Sequence, residues 1–168
     1  MAAVKTEQST PYSVDVLMEQ ARVLAANYRK TTGKTLAGVS GELAVYDAIR
    51  LLNLKPVDAH LSYEAIGTEY AGDLENDKIQ VKGRTIFSDS KASPRIGQIK
   101  TSEEWDSIVL VLLNDEYTPF EIYEVDRETI EENAQKSSSN RSKRGAMTVA
   151  RFKKIATLAW CSDWAAND

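Results

Sequence analysis

Six consecutive apolar residues, Ile108 to Leu113 (Ile-Val-Leu-Val-Leu-Leu), constrain this chain most. An apolar run without alternation is the pattern of a strand buried on both faces. The rest of the chain must therefore cover two sides of a sheet. At 168 residues it is long enough to do so as one domain with a real core.

The remaining elements follow from periodicity. Ser13 to Arg29 reads as a helix, with Val16, Leu17, Ala21, Leu24 and Tyr28 at three- and four-residue steps and Thr31, Thr32 and Gly33 as a stop. A second helix is expected from Ser40, as N-cap, to Leu52. Gly72 to Arg84 reads as a hairpin turning at Asn76-Asp77, and its second arm alternates Ile79 and Val81 with Gln80 and Lys82. Ser88 to Gly97 is loop, and Thr101 with Glu104 can cap a short helical turn. Phe120 to Val125 alternates as a strand, and Asp126 can cap a helix from Arg127 to Gln135. A last helix is expected over Val149 to Trp160. The whole reads as a single α/β domain over 1–168, a mixed central sheet flanked by helices. Residues 1–12 are expected to be disordered, and 137–147 to form a flexible basic loop.

No apolar run approaches the roughly 20 residues that span a bilayer. Met1 to Thr10 hold no secretory h-region, and Cys161 is the one cysteine. A reducing, cytoplasmic setting is the expectation, with Cys161 a buried structural thiol. The net charge is −4, yet Lys78–Lys100 carries +5 and Lys136–Lys154 carries +7. The remainder is therefore strongly acidic, a distribution that suits one phosphate-facing side.

If Asn76-Asp77 is the turn, Asp73 faces Gln80, and Lys82 shares that face two residues on. A carboxylate, an amide carbonyl and an ammonium then converge. Asp73, Gln80 and the backbone carbonyl of Val81 could hold a hard cation such as Mg²⁺ or Mn²⁺. Lys82 could serve an attacking water or neutralise charge on a phosphate. Glu42, in the first turn of the second helix, lies at the lip of a stripe with Val45, Ile49 and Leu52.

Gly72-Asp73 followed by Gln80-Val81-Lys82, with Glu42 in Gly41-Glu42-Leu43-Ala44, resembles the PD-(D/E)XK nuclease superfamily. Gly72 stands where the family has Pro, and Gln80 where it has the middle acid, as in a known subset of its members. The resemblance implies a restriction endonuclease-like fold and a metal-dependent nuclease, acting on DNA, with Glu42, Asp73, Gln80 and Lys82 catalytic. It also implies Mg²⁺ or Mn²⁺ held by Glu42, Asp73, Gln80 and Val81.

Arg84 continues the Gln80/Lys82 face. Arg95, Gln98 and Lys100 follow in the next loop, and Arg141, Lys143 and Arg144 form a basic cluster. All are candidates for nucleic-acid contact. A solvated basic face is the plainer reading of each run. His60, the one histidine, makes a poor zinc site alone. Trp105, Trp160 and Trp164 read as packing anchors. A homodimer would suit cleavage of both strands. A catalytically inactive nucleic-acid-binding or protein-interaction module on the same scaffold is the alternative.

Overall fold

Helix α1 (Val14–Thr32) begins where Ser13 accepts the Val16 N–H and ends at Gly33, whose φ of 71° no β-carbon obstructs. The computed structural model describes residues 13–136 and 146–163. Helix α2 (Val39–Leu51) starts after Gly38, at φ 82°, without a side-chain cap. Ser40 is thus inside the first turn and not the N-cap.

Six strands form one mixed sheet in sequential order: β1 (Leu54–Pro56), β2 (Ala65–Gly67), β3 (Lys78–Thr85), β4 (Ser107–Leu113), β5 (Pro119–Asp126) and β6 (Thr157–Cys161). β3 and β4 run parallel and every other neighbouring pair is antiparallel. Every residue of β4 is buried, as its unbroken apolar run demands. Helix α3 (Arg127–Gln135) follows β5 directly, with Asp126 accepting the Thr129 N–H. Helix α4 (Val149–Ile155) is capped by Thr148. The chain is an α/β protein, and its described residues form a mixed six-stranded sheet with four helices.

The sheet has two faces. Ile79, Val81, Val109 and Val111 pack with Ala25, Ala26, Leu43, Ala44 and Ala48 on the α1/α2 side. Ile108, Leu110, Leu112 and Tyr123 pack with Ile130, Phe152, Ile96, Ile99 and Trp105 on the other. The second layer is therefore only partly helical, and much of its cover comes from the long β3–β4 crossover. A β-carbon on Gly83 would come within 2.5 Å of the Ala44 β-carbon and 2.8 Å of the Ser40 carbonyl oxygen. Glycine there lets α2 lie directly on β3.

Several expectations are corrected. The Gly72–Arg84 hairpin does not form. Gly72–Leu74 is a single 3₁₀ turn, and the antiparallel partner of β3 is β2, pairing Ala65 with Ile79. Asn76, at φ 64°, does turn the chain, but it joins that 3₁₀ turn to β3. The 3₁₀ turn lies against Gly67, where the Leu74 carbonyl occupies the space of a β-carbon. The last helix stops at Ile155 and yields to β6, whose pairing with β5 completes the sheet. The α1 stripe turns outward: Leu17 and Leu24 are exposed while Arg22, Ala25 and Ala26 are buried, because small residues allow close approach to α2. Residues 101–103 are turn and bend without a capped helix, and Cys161 is half-buried within β6. Met147, expected in a flexible loop, is buried, and its carbonyl accepts the Ile96 N–H. Residues 137–145 of the expected basic loop, residues 1–12 and Trp164 lie outside the described residues. No described helix is long and apolar enough to cross a membrane.

Candidate active site

Alternation along β3 directs Gln80, Lys82 and Arg84 away from α2, onto the face covered by the β3–β4 crossover. Extending the β2–β3 register by one residue sets Glu64 opposite Gln80. Glu64 precedes β2, and its Oε2 accepts the Val81 N–H at 2.8 Å. The carboxylate thus replaces a ladder partner that the short strand does not reach.

Gln80, 5% exposed, donates from Nε2 to the Ser62 carbonyl at 2.7 Å and to Glu103 Oε2 at 3.0 Å. Its Oε1 is buried with no hydrogen-bond donor. Burial pushes the Glu64 carboxyl above its ordinary range, against the pull of the Val81 N–H and of Lys82. Burial likewise lowers Lys82, and the Glu64 charge partly offsets it. Lys82 forms no salt bridge among the described residues.

Glu103 belongs to a turn that is firmly held. Arg127 donates to the carbonyls of Trp105 (2.8 Å), Thr101 (2.8 Å) and Glu103 (2.6 Å), and its guanidinium stacks 4.0 Å from the centre of the Trp105 ring. The indole N–H donates to the Lys100 carbonyl at 2.9 Å. Trp105, 1% exposed, is a packing anchor, as expected.

Two of the four expected catalytic residues, Gln80 and Lys82, share this face of β3 with Glu64. Asp73 does not. Its 3₁₀ turn is anchored by Leu74 in the α1/α2-side core, and it lines a cleft with Asp77, Ser107, Glu124 and Thr157. Its expected place opposite Gln80 depended on the hairpin, and β2 holds that edge. Glu42 is exposed on α2, which packs on the opposite face of the sheet, because the buried stripe of α2 runs through Leu43, Ala44, Asp47 and Ala48. Val81 enters through its N–H. Arg84 is half-buried beside Gly97, donates to the Arg95 and Gly83 carbonyls and has no acidic partner among the described residues. Burial lowers its pKa. Arg95 and Gln98 are exposed on the same crossover, and Lys100 pairs with Glu103 at 3.5 Å. Arg141, Lys143 and Arg144 lie outside the described residues. His60 is exposed and alone.

Glu64, Glu103 and Arg127 escaped the sequence reading. Tyr63-Glu64-Ala65-Ile66 does alternate, a signal for Glu64, but no local pattern marks Glu103.

Among the described residues no three His, Cys, Asp or Glu side chains cluster to hold a metal ion. The side-chain acceptors on this face are the Glu64 and Glu103 carboxylates and the buried Gln80 amide oxygen without a donor, which are ligand types of a hard cation. No family model matches the chain, and no curated protein sequence matches it.

Proposed function

We propose that the chain is a metal-dependent nuclease with a restriction endonuclease-like scaffold, hydrolysing phosphodiester bonds in DNA at Glu64, Gln80 and Lys82. The observation that carries this reading is Gln80 Oε1, a buried acceptor without a donor on the face shared by Glu64 and Lys82. Leaving such an atom unsatisfied costs about 1–3 kcal/mol, which a bound Mg²⁺ or Mn²⁺ would offset. Glu64 and Gln80 would hold the ion. When bound, it supplies Lewis acidity, which acidifies water and polarises the phosphoryl oxygen. Lys82, free of a salt bridge, neutralises charge developing on the phosphate. Arg84, Arg95 and Lys100 extend a basic track along the same face and would hold the flanking phosphates.

Cleavage of supercoiled plasmid with Mg²⁺ or Mn²⁺ tests this. Glu64→Gln and Lys82→Ala should each lower the rate about 100-fold or more. Asp73→Ala should stay within about twofold of wild type, since Asp73 lines a different cleft. Cleavage that survives both pocket substitutions sinks the proposal.

A binding module without cleavage is the second reading. The neutral amide of Gln80 and the raised pKa of Glu64 favour it, since both weaken an anionic ligand set. It predicts salt-dependent DNA binding that metal does not alter.

A further inference from the structure

A glutamine can hold a cation only through its oxygen, and rotating its amide by half a turn would present two N–H donors instead. An aspartate or glutamate has no such wrong orientation. A glutamine ligand therefore needs a lock that a carboxylate does not. We infer that Glu103 is a positioning residue that locks Gln80, so that the amide offers oxygen and not nitrogen beside Glu64 and Lys82. The inference rests on the cation-binding reading above.

Three observations support it. Both partners of Gln80 Nε2, the Ser62 carbonyl and Glu103 Oε2, can only accept. Turning the amide over would break two hydrogen bonds and set oxygen against oxygen twice. The Glu103 bond is the charge-assisted one of the pair, and such bonds are about twice as strong as neutral ones. Finally, Glu103 is itself held, with Lys100 Nζ 3.5 Å from its Oε1 and Arg127 gripping its backbone carbonyl. A carboxylate fixed in this way can orient a neighbour without ligating the ion.

The test is a double-substitution cycle on the full chain, with Mn²⁺ alone as probe. Calorimetry measures Mn²⁺ affinity, and the melting temperature is read without metal. In the wild-type background Glu103→Ala should lower Mn²⁺ affinity about 10–100-fold and lower the melting temperature. Glu103→Gln, which keeps an accepting oxygen, should recover part of both. In a Gln80→Glu background the melting effect should change sign, because Glu103→Ala then relieves two adjacent carboxylates. The affinity loss should there shrink to about threefold or less. Equal losses in both backgrounds would show that Glu103 only braces the turn, and would overturn the inference while leaving the cation site standing. If the melting effect changes sign between the two backgrounds but the wild-type protein binds no Mn²⁺, the cation reading is refuted, and the ligand role of Gln80 with it.

Discussion

On the α1/α2 side of the sheet, Arg22 and Asp47 are 5% and 0% exposed, and they satisfy one another. Arg22 donates to both Asp47 oxygens, at 3.0 and 2.8 Å, and also to the Tyr117 carbonyl, while Arg50 adds a further bond to Asp47 at 3.1 Å. On the opposite side, Gln80 keeps an acceptor without a donor and Lys82 keeps a charge without a salt bridge. Both regions place polar groups against one sheet. The first ties α1 to α2 and to the β4–β5 turn. The second holds back bonding capacity that a ligand could take up. Complete satisfaction marks a staple, and incomplete satisfaction marks a candidate site.

Breaking the staple should have the largest effect. Asp47→Ala strips the buried Arg22 guanidinium of its buried partner and leaves it only the exposed Glu19 carboxylate at 3.4 Å and the Tyr117 carbonyl, a loss of about 3 kcal/mol. Urea unfolding measures it. A loss below about 1 kcal/mol would mean that water reaches Arg22, and the contrast between the faces would weaken. Gly83→Ala comes next. It acts on the same face as the staple, where the added carbon meets Ala44 and the Ser40 carbonyl of α2. Overpacking of this kind costs about 1–3 kcal/mol. The same melts should show it, and no loss would mean that α2 slides freely over β3.

The staple and the site differ in how far the sequence reveals them. β4, β5 and α3 were legible because each follows one local rule: a continuous apolar run, an alternation, and Asp126 before Arg127. Gln80 and Lys82 were legible as a pair because period two puts them on one face whatever the partner strand. The identity of that partner was not legible. Asn76-Asp77 carries real turn chemistry, but a turn does not state what precedes it. The three-residue β2 is too short to register as a periodic segment. Chain order alone therefore points to Asp73 as the acid facing Gln80, whereas the strand register sets Glu64 there. Glu103 was out of reach altogether, since Arg127 and Trp105 shape its turn from distant parts of the sequence.

A smaller test addresses Lys82. Burial holds its pKa below the ordinary lysine value of 10.5, so in that window the folded protein binds fewer protons than the unfolded chain. Stability from this group therefore rises with pH through the folded pKa towards 10.5. Lys82→Met should be more stable than wild type at pH 7, by about 1 kcal/mol at most, because solvent screens a half-exposed ammonium. The gap should close as pH approaches the ordinary lysine range. A variant that is less stable at pH 7 would mean that the Glu64 charge outweighs burial at Lys82, and the second face would resemble the first.

The smallest effect belongs to the cleft that holds Asp73. Glu124 is half-buried there, and burial first, then the charges of Asp73 and Asp77, raise its pKa above the ordinary 4.5. The folded protein consequently keeps a proton on Glu124 that the unfolded chain releases. The associated stability is whole below the ordinary value and fades as pH rises through the folded one. Glu124→Gln should remove that fade, so its melting temperature should exceed that of wild type by a degree or two at pH 7 and match it near pH 4. Adding Mn²⁺ sharpens the comparison with the pocket on the other face. No lysine or arginine lines this acidic cleft among the described residues. If Mn²⁺ raises the wild-type melting temperature, and Glu124→Gln but not Glu64→Gln abolishes that rise, then the cation binds among the acids. The assignment of chemistry to the Gln80 face would then be inverted.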